Sequence, residues 1–101
     1  MSKVLCIIDM QNDFITGALG SEQAKAIVPT VQAIIQETLD ETDTTLLFTK
    51  DTHKANSYLD TQEGKLLPIP HCIAGTEGHN IIPELKNQSR HGTIVLKNTI
   101  E

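Results

Sequence analysis

With 101 residues, 39% of them hydrophobic, the chain is long enough for one domain with a modest core. A net charge of −5 leaves no electrostatic footprint for nucleic acid, and no apolar stretch is long enough to span a membrane. Two cysteines without a metal or disulfide spacing, and a start unlike a signal peptide, predict reduced thiols and a cytoplasmic protein.

The first predicted element is a strand over residues 4–9, VLCIID, an apolar run that ends in a carboxylate. A charge at the edge of a core is costly unless something pairs with it, so Asp9 either lies outside the core or is held there for use. A helix follows over residues 27–39, with Ile27, Val31, Ile34, Ile35 and Leu39 on one face and Pro29 in its first turn. TLLFTK predicts a second strand over 45–50 and TIVLK a third over 93–97. Between them lie a polar, Pro-rich stretch over 51–78 and a short helix about 81–86. Gly75-Thr76-Glu77-Gly78 lacks the Gly-Lys-Ser/Thr ending of a phosphate loop and reads as a turn. All three strands are continuously apolar rather than alternating, which suits parallel strands covered on both faces. The order predicts an α/β domain, a parallel sheet with helices on both faces, joined by right-handed crossovers.

Open α/β sheets bind ligands outside the carboxyl ends of their strands, so Asp9, Asp51, His53 and Lys97 are expected on one rim. Asp9 and Lys97 suit a general base and a charge stabiliser beside a nucleophile, although an ordinary ion pair between strands has the same spacing. Asp51 and His53 form an Asp-x-His at a strand's end, and His71 can close a divalent-cation site around them. Mixed nitrogen and oxygen ligation suits zinc, iron or manganese. Glu63 is either a fourth ligand or a surface charge. His79 and His91 stand in polar stretches and are expected to be solvated. Phe14, just past the first strand, can wall a small aromatic ligand or pack on its own loop.

IIDMQNDF, followed in order by FTKDTH, PHCIAGTEG, IIPEL and IVLKNT, resembles the isochorismatase-like cysteine hydrolases, nicotinamidases most closely, over residues 4–99. The resemblance implies a three-layer αβα fold and an Asp–Lys–Cys triad. Asp9 would take the proton from a cysteine thiol that attacks an amide carbonyl, and Lys97 would stand at the lysine's position. It implies a metal, zinc foremost, on Asp51, His53 and His71. Glu63 would replace a histidine that many nicotinamidases carry where this chain has Tyr58 and Leu59. Phe14 and Gln11 match residues near the substrate pocket, and the implied reaction releases ammonia from a small amide such as nicotinamide.

In that family the nucleophilic cysteine lies well beyond the lysine. Cys72 belongs to the PHC motif and Cys6 is expected in the core, so neither takes that part. Residues 1–101 are therefore expected to be the N-terminal part of a single isochorismatase-like domain, with an incomplete sheet and no turnover alone. A homo-oligomer or a missing C-terminal half is expected as its partner. Two other readings are a metal-independent hydrolase of the same family and a non-catalytic α/β module that binds through its open edge.

Overall fold

The computed structural model of the chain describes residues 2–55 and 57–98, apart from the side chains of Gln62, Glu63 and Asn98. The three apolar runs form one parallel sheet: β1 (Lys3–Ile8), β2 (Thr44–Thr52) and β3 (Thr93–Asn98), in the order β1-β2-β3. Ile7 stands opposite Phe48, and Thr49 opposite Val95. Parallel neighbours require a crossover, and each crossover holds a helix. The first contains α1 (Asn12–Ile15), α2 (Glu22–Ala26) and α3 (Val28–Leu39). The second contains α4 (Gln62–Leu66) and α5 (Pro83–Ser89). Both α3 and α5 begin with a proline in the first turn, where its missing N–H costs nothing, and the two helices pack on each other.

The core lies between these helices and one face of the sheet. Ile7, Leu46 and Phe48 meet Val28 and Ile35 of α3 and Leu85 of α5. The predicted helical face holds in part, since Ile35 is fully buried and Val31 and Leu39 pack against the core. Ile27 and Ile34 stay half exposed, and Val28 is buried instead. Ile27 is the junction at which α2 ends and α3 starts, so it falls outside the period of α3. Ile34 and Ile35 point about 100° apart around the helix axis, and only one of them faces the sheet squarely.

Val4, Cys6 and Ile8 alternate onto the far face of β1 and are exposed, so this part of the sheet is open among the described residues. Cys6 was expected in the core and is not there. β1 stands at one end of the strand order, where only the side chains turned to the helices are covered. The segment after β2 was expected to be irregular, yet it carries α4 and a 3-10 turn, Tyr58–Asp60, with a second turn at Glu77–His79. Elements this short do not establish a hydrophobic period. No helix among the described residues is long and apolar enough to cross a membrane.

Candidate active site

β1 ends at Ile8, and Asp9 follows with φ at 55°, a left-handed conformation that costs a non-glycine residue about 1–3 kcal/mol. This turn directs the carboxylate towards β2 and β3. Thr49 Oγ1 donates to Asp9 Oδ1 at 2.8 Å, and Lys97 Nζ donates to Asp9 Oδ2 at 2.8 Å. Lys97 stands on β3, two strands away, about 10 Å at ordinary strand spacing. Its long side chain reaches Asp9 across β2, where the small Thr49 leaves room. The Lys97 side chain is 42% exposed, and a pair so solvated contributes only about 0–1 kcal/mol. Stability therefore does not account for the strained turn and the pair together.

Asp51 is opposite Lys97 in the β2–β3 register, which brings a second group of side chains to the same rim. His53 follows directly after β2. Its N–H donates to the Cys72 carbonyl at 3.0 Å and its carbonyl accepts from Ala74 N–H at 2.8 Å. That bridge lays the PHC segment alongside and brings His71 to His53. His53 Nε2 is 3.0 Å and His71 Nε2 3.6 Å from Asp51 Oδ2. One ligand atom from each residue lies within 4.8 Å of the others. Both imidazoles are buried, and the Asp51 side chain is 16% exposed. His71 Nδ1 is 2.9 Å from the Ile69 carbonyl, which can only accept, so the proton sits on Nδ1 and Nε2 faces the carboxylate. Two oriented imidazoles and a carboxylate converging in a shielded place fit a four-coordinate divalent cation with one position left over. Glu63 lies in α4, and its side chain is outside the described residues.

Aromatic rings complete the wall. Tyr58 packs edge-on against His53 and His71, with centroids at 4.8 and 5.3 Å, and its hydroxyl donates to the Leu67 carbonyl at 2.7 Å. Phe14, from α1, meets His71 edge-on at 5.4 Å. Gln11 is wholly buried. Its Oε1 accepts Asp51 N–H at 2.8 Å, and its Nε2 donates to the carbonyls of Asp51 and His79 at 2.9 and 2.8 Å. The amide thus anchors the backbone of Asp51 as a neighbouring strand would.

His79 was expected to be solvated and is buried, with Nε2 2.9 Å from Thr52 Oγ1, because Glu77–His79 folds back over the end of β2. Burial, then the charge of Lys50, holds its pKa below the ordinary histidine value against the pull of Asp51. His91 is exposed, as expected. Sequence reasoning missed Thr49, although its place two residues before Asp51 puts both on one face of β2. It also missed Asp13, whose partner is far away in the chain.

The family model for the isochorismatase domain matches residues 3–101. Nicotinamidase PncA from Bacillus subtilis is 30% identical, with a TM-score of 0.81 over 97% of this chain and 56% of that one. The pyrazinamidase of Pyrococcus horikoshii, in complex with zinc, is 28% identical, with a TM-score of 0.75 over 99% of this chain and 54% of its own. N-carbamoylsarcosine amidase from Thermoplasma acidophilum is 26% identical, with a TM-score of 0.76 and coverages of 96% and 52%. The chain spans about half the length of these structures. The comparison with curated proteins finds no match.

Proposed function

This chain belongs to the isochorismatase family, and from that premise we propose that it carries the general base, the lysine and the metal ligands of a cysteine amidohydrolase of nicotinamidase type. The observation that supports this most is the Asp9–Lys97 pair at 2.8 Å, on the same rim as Asp51, His53 and His71. Similar solved structures include a nicotinamidase, a pyrazinamidase and N-carbamoylsarcosine amidase.

In this reading Asp9 takes the proton from a cysteine thiol, and the Lys97 ammonium adds positive charge where the thiolate forms. The thiolate attacks the amide carbonyl, a C–S bond forms, the C–N bond breaks, and ammonia leaves with the proton that Asp9 returns. Water then releases the acid from the thioester. The nucleophile is assigned to a cysteine outside residues 1–101, supplied by a C-terminal portion or a second chain. Cys6 lies within β1 on its open face and Cys72 is buried in the PHC turn.

Asp51, His53 and His71, with Glu63 as a further candidate, hold a divalent ion. Zinc is favoured by the zinc complex of the Pyrococcus horikoshii enzyme. The ion, when bound, supplies a Lewis-acid anchor for a ring nitrogen of the substrate. Phe14 walls the ring, and Gln11 supports the substrate side by fixing the backbone of Asp51. The substrate class is a small amide, nicotinamide first, and the setting is the cytoplasm. Ammonia release from nicotinamide by the protein with its cysteine-bearing portion tests this. Asp9→Asn lowers kcat by roughly 10⁴-fold, on the scale of a triad carboxylate. Turnover undiminished by Asp9→Asn excludes Asp9 as the base.

A further inference from the structure

The short helix α1, just after Asp9, carries a second carboxylate that the chemistry above leaves without a part. Asp13 is 59 residues from Cys72 in the chain, yet its Oδ2 accepts the Cys72 N–H at 2.8 Å, one residue past His71. Cys72 is wholly buried and has φ at 51°; among the described residues, Asp9 is the other non-glycine residue with a positive φ. A buried N–H needs an acceptor, and a left-handed cysteine needs surroundings that hold it there. Asp13 supplies the acceptor. The Cys72 carbonyl is taken by His53 N–H at 3.0 Å, so both peptide groups of this residue are pinned.

The carboxylate has a made seat. The Asp13 carbonyl accepts Leu19 N–H at 2.7 Å, and Ala18 N–H lies 3.4 Å from Oδ1. Gly17 and Gly78 close around the carboxylate, and a Cβ on either would overlap its oxygens. At the ring, the Ile69 carbonyl fixes Nδ1 of His71, and Phe14, the neighbour of Asp13, packs on the imidazole. One short segment therefore sets the backbone beside His71 and touches its ring.

We propose that Asp13 is a positioning residue for the ligand His71, acting through the Cys72 N–H; this rests on the metal reading above. Holding Cys72 left-handed fixes the direction in which the His71 side chain leaves the backbone, and so where Nε2 meets Asp51 and His53.

Cobalt(II) is the probe, titrated into the full 101-residue chain with its visible absorption recorded and zinc as competitor. Asp13→Ala weakens cobalt binding by about 10–100-fold, the range for outer-shell partners of metal ligands, and alters the visible band. Asp13→Asn keeps an oxygen acceptor of the same reach and stays close to the wild type. Gly78→Ala displaces the carboxylate without removing it and weakens binding in the same direction, which keeps the test open if Asp13→Ala does not fold. Wild-type affinity and band in Asp13→Ala, or in Gly78→Ala if only that variant folds, overturns the positioning role when His71→Ala has lost the ion. The metal group then stands. Cobalt bound equally by the wild type and His71→Ala overturns the metal reading and this inference with it.

Discussion

His79 lies buried against Thr52, with a pKa held down first by burial and then by Lys50. The unfolded chain takes up that proton near the ordinary value of 6.5, while the folded chain resists it. More protons are bound in the unfolded state, so the stability present above that pH declines as the pH falls below it. His79→Gln removes the titrating group and keeps a side chain able to bond Thr52. Urea unfolding from about pH 7 to about pH 5 should show a smaller loss of stability in the variant than in the wild type. Equal losses would show that His79 does not carry the acid sensitivity. Asp9, Asp51, His53 and Lys97 were legible in the sequence because each is a polar group closing an apolar run, and a parallel sheet brings such ends together. Asp13 and His79 were not. Their partners lie 59 and 27 positions away, across loops that follow no period.

In α3, adjacent isoleucines occupy opposite conditions: Ile35 is fully buried against the sheet and Ile34 is half exposed. Ile35→Ala leaves a cavity among Ile7, Phe48 and Leu85, with a cost of about 2–5 kcal/mol. Ile34→Ala costs roughly 0.5 kcal/mol or less, as surface changes do. Urea midpoints at constant slope measure both, and equal shifts would contradict this packing of α3 on the sheet. The long elements, α3 and the three strands, could be read from their apolar runs. Ile27 leaves the apolar face of α3 because it is the cap between α2 and α3, so a period counted through it joins two helices that are separate. The elements of four or five residues, α1, α2 and α4, are held by tertiary contacts and local turns rather than by a pattern of their own.

The three strands end on one rim, where Asp9 meets Lys97 and Asp51 gathers His53 and His71, while the far face of β1 stays open at Val4, Cys6 and Ile8. Site and open face adjoin because Asp9 directly follows β1, a strand at the end of the sheet. Open α/β sheets place ligands outside the carboxyl ends of their strands, which is where Asp9, Asp51 and His53 gather. The rim was foreseeable from the sequence. The bridge of His53 to the 72–74 segment, which turns a spaced Asp-x-His and a distant histidine into one cluster, was not, since it depends on backbone pairing outside any strand. In the function proposed above, this cluster is a metal site of nitrogen and oxygen ligands beside the Asp9–Lys97 pair. The most direct test is X-ray absorption at the zinc edge, with metal analysis, on the zinc-loaded chain and on His53→Ala and His71→Ala. One zinc per chain, imidazole scattering with only nitrogen and oxygen neighbours, and loss of the ion in both variants are expected. Sulfur scattering at about 2.3 Å, or a zinc content unchanged in the two variants, would contradict it.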